Sequence, residues 1–370
     1  MLSRNKVMMF ISGFNHLQLR EWAAGVLVLL LAFVLVFSSR TYRLNSDSAI
    51  QAPPATVLLI DERIQLDELI SLLEESGISF DADELRWASG IVGLRNFSTG
   101  RYEFDGGISY PEFLNKLAMG LQDPMTLRIP PGADKERLKE RIASQMQFEA
   151  DDLAAAMSDT SILNRYGIEA HELYGRIIGD SYEVYWTTSP ERLVNRLLSE
   201  FERRIMESYA DRMDELGLSA DEVTTLASII EWEAKYDDEK PAISGLYWNR
   251  LDSRWRLQAD PTVNYAKGTR SRLVYADYRI DHPYNTYRIH GLPPGPITNP
   301  SYSSLRAALY PEDHDYMFMV ARPDGYHAFS RTYAEHRRKS REWTDWLREQ
   351  RMKQAEMERE EAARQGAAAD

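Results

Sequence analysis

SADEVTTLASIIEWEA, residues 219–234, opens on Ser219, a residue of the helix-capping type, and carries Val223, Leu226, Ala227, Ile230 and Ala234 at helical spacing. This pattern predicts an amphipathic helix packed along one apolar stripe. With about 100° of rotation per residue, Glu233 falls about 60° from the centre of the stripe. Glu231 lies about 100° away on the other flank, so the two carboxylates are about 200° apart and cannot form a paired site. Glu233 is the one nearer the apolar side. Partial burial there raises a carboxyl pKa and keeps it protonated near neutral pH, as a general acid requires. The same pattern also suits a salt-bridged surface glutamate, and the helix taken by itself favours that plainer reading.

Downstream, YWNRLDSRWRLQADPTVNYAKG (247–268) interleaves aromatics with Asn249, Arg250, Gln258 and Asp260. HPYNTYRIHGLPPGPITNPS (282–301) follows, and its Pro293, Pro294, Gly295 and Pro296 form a stiff, extended loop. Such loops make good polar walls for a groove and are equally good turns.

Upstream, ATVLLI (55–60) reads as a strand and RIQLDELISLLEESG (63–77) as a helix stopped by Gly77. DADELRWASGIVGL (81–94) reads as a second helix and STGRYEF (98–104) as a turn into a strand with Tyr102 and Phe104 alternating. A third helix starts at Ser109 with Pro111 in its first turn, and LRIPPG (127–132) ends a strand at a turn. Residues 55–135 are therefore a small α+β module. Residues 133–220 are mainly helical, interrupted by GRIIGDSYEVYW (175–186). The densest motifs lie between 221 and 340. Beyond them, residues 341–370 form a charged tail, helical or disordered, without a sustained apolar stripe.

Toward the N-terminus, Trp22–Ser38 contains no charge and spans about 25 Å as a helix, the short end of a membrane crossing. Arg4, Lys6 and Arg20 precede it, and Arg40 and Arg43 follow. That narrow excess places residues 1–21 in the cytoplasm, with a transmembrane helix at 22–39 and a polar linker at 40–54 ending in Pro53-Pro54. A cleaved signal peptide is the rival reading, but FSSRTYR lacks a small-x-small cleavage site. Either reading exports the rest of the chain.

Composition narrows the chemistry. The 370 residues carry a net charge of −13, which argues against a nucleic-acid partner. Cysteine is absent, so thiol nucleophiles, thiolate zinc sites and disulfides are excluded. No G-x-S-x-G, P-loop or dinucleotide fingerprint occurs. The single S-x-x-K joins Ser3 to Lys6, ahead of the apolar segment, and His171-Glu172 is not followed by a second histidine in zinc-protease register. Asp313-His314-Asp315 reads as a turn-forming cluster. No metal or organic cofactor is expected.

ASIIEWEA (227–234), LQADPTVNYAKG (257–268), PYNTY (283–287), GLPPGPITNPS (291–301) and DGYHAFSRTYAEH (324–336) resemble, in order and spacing, the endolytic murein transglycosylases of the YceG-like family. FSTGRYEF (97–104) and LRIPPG (127–132) resemble that family's small LysM-like module. The resemblance implies an α+β protein: an N-terminal transmembrane helix, a LysM-like module (55–135), and a helical-plus-strand catalytic domain (136–340). It implies peptidoglycan as substrate and a single-pass location in the bacterial inner membrane with the catalytic domain on the periplasmic side. Cell-wall synthases are implied partners. The family's acid/base is the second Glu of E-x-E, here Glu233. Gln258, Asp260, Asn285 and Tyr287 match positions that line the cleft, and Glu231, Asp180 and Tyr182 are further substrate-binding candidates. Three departures stand out: Trp232 replaces a usual Lys, Ala234 a usual Thr, and Gly179 the Pro of a loop that here reads YGRIIGDSY (174–182). The activity implied is non-hydrolytic cleavage to 1,6-anhydro ends, helping to terminate nascent strands. A muramidase-type hydrolase and a non-catalytic peptidoglycan-binding scaffold are the alternatives.

Overall fold

The computed structural model describes residues 4–369, with side chains described over 20–359. Residues 1–3 of the expected cytoplasmic segment and residue 370 of the tail lie outside the described residues, as do the side chains of Arg4 and Lys6. The chain divides into two compact units, Met1–Met125 with Tyr185–Thr187, and Thr126–Val184 with Thr188–Asp370.

The first unit contains α1 (Arg4–Leu44), β1 (Ile50–Ile60), β2 (Ile64–Gln65), α2 (Leu66–Glu75), α3 (Ala82–Val92), β3 (Asn96–Phe97), β4 (Gly100–Ile108) and α4 (Tyr110–Ala118). The apolar part of α1, Arg20–Leu44, is long and apolar enough to cross a membrane. Its 25 residues span about 37 Å, against a hydrocarbon thickness of about 30 Å. The stretch read as a linker is shorter than expected, because α1 runs on to Leu44 and β1 starts at Ile50. Pro53 and Pro54 sit inside β1, where the pairing with β4 shifts register between Ala52 and Thr56. Two residues without an N–H fit there because a bulge releases them from the ladder. The buried phase is kept on both sides of the bulge: Ile50 and Ala52 before it, Leu58 and Ile60 after it. These pack with Tyr102 and Phe104 of β4 and with Leu69, Leu73, Leu85 and Phe113 of the helices. Asp81 caps α3 by accepting from the N–H groups of Asp83 and Glu84.

The second unit begins within β5 (Met125–Arg128) and continues through α5 (Lys135–Ala143), α6 (Ala150–Met157), α7 (Thr160–Tyr166), α8 (Ala170–Leu173), β6 (Ser181–Val184) and α9 (Pro190–Phe201). Then come α10 (Glu207–Leu216), α11 (Ala220–Glu233), α12 (Lys240–Asp252), α13 (Asp260–Lys267), α14 (Tyr302–Leu309), β7 (Phe318–Ala321), β8 (His327–Ser330) and α15 (Tyr333–Ala369). The division falls ten residues before the expected 135, because β5 pairs with β6.

Helix α11 starts at the expected cap: Ser219 and Glu222 exchange hydrogen bonds as a capping box. It is not amphipathic in place. Val223, Leu226, Ala227, Ile229 and Ile230 are wholly buried against Phe201, Ile243, Leu246 and Leu305, each of the valine, leucine and isoleucine side chains contributing roughly 1.5–3 kcal/mol. Thr224 and Ser228, on the face expected to be polar, are equally buried. The proline-rich loop covers that face, with the Ile297 N–H donating to Ser228 Oγ at 2.9 Å while Ser228 Oγ donates to the Thr225 carbonyl at 2.7 Å. A buried hydroxyl is tolerated because both of its roles are satisfied.

Gly179 has a packing reason. A Cβ there would lie 2.5 Å from the backbone of Pro131, while the Gly179 N–H donates to the Pro300 carbonyl at 2.8 Å. The residue that departs from the family pattern sits where two proline turns close on it. The tail also differs from its reading. Within α15, the half-buried His336, Lys339, Trp343, Trp346 and Leu347 recur at helical spacing. The His336 ring stacks on Phe318 of β7, and Lys339 Nζ donates to the Phe329 carbonyl of β8. The stripe was hidden in the sequence because two of its five members, His336 and Lys339, are polar and charged residues surround the rest.

Candidate active site

Glu233 is the last residue of α11, at the negative end of the helix dipole. Its side chain keeps 16% exposure, so a ligand can reach it. Its pKa is raised to about 7, above all by burial and also by Asp260, with His327, Arg250 and Tyr247 pulling the other way. The group therefore holds its proton to near neutrality, the condition set for a general acid.

His327 opens β8 and faces Glu233, with Nε2 3.9 Å from Oε1. Glu239 holds the ring from behind. One carboxylate oxygen accepts the His327 backbone N–H, and the other lies 2.9 Å from Nδ1. With Glu239 on Nδ1, Nε2 is the ring nitrogen turned toward the Glu233 carboxyl. Glu239 keeps only 4% of its side-chain exposure.

Helix α12 supplies two more groups. Tyr247 is fully buried, and its hydroxyl has no hydrogen-bond partner among the described residues, although it lies near enough to Glu233 to lower that pKa. Arg250 donates through Nε and Nη2 to the Met317 carbonyl at 2.9 and 2.7 Å, and through Nη1 to the Leu257 carbonyl. It thereby ties to one helix both the loop bearing Gln258 and the residue just ahead of β7, the strand that pairs antiparallel with β8.

Asp260 begins α13. Its carboxylate accepts the Tyr287 hydroxyl at 2.6 Å and the Tyr278 hydroxyl at 3.3 Å. The LQADPT and PYNTY motifs are tied together at the backbone. Gln258 N–H donates to the Thr286 carbonyl, Ala259 N–H donates to Thr286 Oγ1, and the Thr262 and Thr286 hydroxyls lie 2.8 Å apart. Gln258 itself is exposed and takes a left-handed backbone, φ +49°. Asn285 is fully buried: its amide donates to the carbonyls of Tyr278 and Ile280, and its oxygen accepts the Tyr287 N–H. It shapes the loop that aims Tyr287.

Glu231 points the other way. Its Oε2 accepts the Ser301 N–H at 3.0 Å, the Ser304 hydroxyl at 2.6 Å and Lys240 Nζ at 3.1 Å. Asp180 pairs with Arg204 at 2.7 Å and caps the Ser181 N–H, and the Tyr182 hydroxyl donates to the Ile178 carbonyl. These three sequence candidates are engaged in holding the scaffold. Trp232 does the same: its Nε1–H donates to the Gly132 carbonyl at 2.9 Å, with Arg270 4.8 Å above its ring.

Sequence reasoning missed His327, Glu239 and Tyr247. His327 sat inside a quoted motif with no signal of its own, Glu239 looked like part of an acidic turn, and Tyr247 had core spacing. Only chain folding brings them to Glu233.

The YceG-like family model matches residues 58–342. The chain is 28% identical over 285 residues to the endolytic murein transglycosylase of Bacillus subtilis strain 168, covering 72% of this chain and 79% of that protein. It is 23% identical over 294 residues to the endolytic murein transglycosylase of Streptococcus pneumoniae serotype 2 strain D39. That match covers 71% of this chain and 53% of the streptococcal protein, so the chain spans about half of the latter's length. The 2.6 Å crystal structure of a yceG-like protein from Listeria monocytogenes superposes with a TM-score of 0.55 at 28% identity, covering 78% of this chain and 97% of that one.

Proposed function

The chain belongs to the YceG-like family, and from that membership and the setting of Glu233 we propose that it is an endolytic murein transglycosylase with Glu233 as acid and base. The observation that carries the reading is a part-exposed carboxyl whose pKa is lifted to about 7 and which faces His327.

In this reading the protonated Glu233 donates to the oxygen linking N-acetylmuramic acid to N-acetylglucosamine, and the C1–O bond breaks. The charge developing at C1 is oxocarbenium-like, and Asp260, held by Tyr278 and Tyr287, lies on hand to stabilise it. The Glu233 carboxylate then takes the proton of the C6 hydroxyl, and O6 closes on C1 to give a 1,6-anhydro end. No water is consumed, and Glu233 finishes protonated. His327, held by Glu239 and 3.9 Å from Glu233, favours the carboxylate that forms when Glu233 gives up its proton.

The apolar helix α1 supports anchoring in the inner membrane, with the rest of the chain on the periplasmic side. The order β2, α2, α3, β3 supports a LysM-like, glycan-holding role for the first unit. Anchored cutting would act on strands near their site of synthesis, which favours chain termination as the role and wall synthases as partners.

The test is mass spectrometry of products from purified peptidoglycan, comparing the detergent-solubilised full chain with Glu233→Gln. Anhydro-muramic ends from the parent alone are expected. Reducing muramic ends would replace the reading with hydrolysis, Asp260 then serving a water. Glycan retention with no cleavage by a folded parent would leave a binding scaffold.

A further inference from the structure

Helix α15 continues past residue 342, where the family match stops. Just beyond that point Trp343 and Trp346 stack on each other, ring centroids 5.0 Å apart and planes 14° from parallel. Both are half-buried, in a helix otherwise rich in charge.

Trp343 lines two cavities. The first, about 680 Å³, is also walled by His327, Phe329 and Trp346. The second, about 550 Å³, is also walled by Asp260, Tyr278 and Leu347. His327 and Asp260 are the two residues with the largest electrostatic effects on Glu233. The first cavity thus shares a wall, His327, that stands 3.9 Å from Glu233, the second shares Asp260, and Trp343 is a wall common to both. Either volume lies within the range of about 300–1,000 Å³ usual for ligand pockets.

We propose that Trp343, backed by Trp346, is a sugar-stacking platform: a subsite that holds one pyranose ring of a β-1,4-linked amino-sugar strand beside the cleavage point. The proposal rests on the transglycosylase reading for the identity of the strand. A pyranose presents a face of C–H groups rimmed by hydroxyls. A tryptophan offers the flat apolar area that face needs, at the cost of ordering only two side-chain torsions. Pairing at i and i+3 on one helix face keeps the platform from turning away. A tryptophan serving only as core filler would be covered, whereas these two open onto the cavities.

The test uses the full chain in detergent carrying Glu233→Gln, so that binding is read without turnover. The probe is purified glycan strands freed of stem peptides. Trp343→Ala is expected to weaken equilibrium binding about tenfold, while Trp343→Phe, which keeps a flat ring, stays within about threefold of its parent. In the Glu233 background the same Ala change should raise KM about tenfold with kcat little altered. Unchanged binding in Trp343→Ala overturns the proposal, and so does equal loss in Ala and Phe variants with unaltered thermal melting. Should the Ala variant fold poorly, Trp343→Phe against Trp343→Leu decides the same point. The two readings fail separately. Trp343-dependent glycan binding without anhydro products removes lysis and keeps the platform; intact lysis with Trp343-independent binding does the reverse.

Discussion

His327 stands with Nε2 3.9 Å from Glu233 Oε1 while Glu239 grips its Nδ1 at 2.9 Å, so a buried carboxylate orients a ring that in turn faces the acid. His327 lowers the Glu233 pKa. Removing it therefore raises that pKa above about 7 and lets the acid stay protonated to higher pH. His327→Gln is expected to move the alkaline limb of the pH dependence of kcat/KM upward. It should also lower kcat by roughly 10- to 100-fold, the range seen when an outer partner that orients a reacting group is lost. A limb that stays in place would show that Glu233 does not set it.

Glu233 also leaves a mark on stability. Its folded pKa, about 7, lies above the ordinary 4.5, so the fold prefers the proton. Its contribution is complete below pH 4.5, is lost as pH rises toward 7, and stays lost above. The full cost is about 3 kcal/mol at most. Glu233→Gln removes the ionisation. Thermal melts should agree for parent and variant at pH 4 and separate in favour of the variant by a few degrees at pH 8. Equal melting at both pH values would mean that the carboxyl is better solvated than its burial implies.

The start of α11 at Ser219 was legible because capping is local. So was the alternation of Tyr102 and Phe104, both of them buried. What was not legible depended on distant chain. The buried polar face of α11 needs the loop at 297 to cover it. Pro53-Pro54 read as a linker because a bulge is a property of the pair of strands, not of one. Glu231 stood as a substrate-binding candidate because its engagement with Lys240 and Ser301 depends on residues distant in the chain.

Tyr247 presents, beside Glu233, a buried hydroxyl without a hydrogen-bond partner among the described residues. Leaving such a group unsatisfied costs about 1–3 kcal/mol, so the hydroxyl is not there for stability. Tyr247→Phe should keep or raise the melting temperature while lowering kcat about tenfold, as expected for a donor that finds its acceptor only in the transition state. Calorimetry alongside steady-state turnover separates the two effects. A variant that loses stability would place Tyr247 among the packing residues.

Lys240 and Glu231 form a pair in which the side chains keep 4% and 10% exposure. Burial alone would raise the Glu231 pKa, but Lys240, Ser301 and Ser304 outweigh it and hold the group below its ordinary range. The stability this gives is present above the unfolded pKa and lost as pH falls through the lower folded value. Lys240→Met strands the carboxylate and should destabilise the chain by about 3–5 kcal/mol, whereas Glu231→Gln with Lys240→Met together should cost less than the sum of the two. In each variant the turnover per folded molecule should stay within about threefold of the parent, because Glu231 faces Ser301 rather than the cleft. Folded fraction from denaturant unfolding, set against kcat on the same samples, tests this; turnover that collapsed in fully folded Glu231→Gln would return Glu231 to the catalytic machinery.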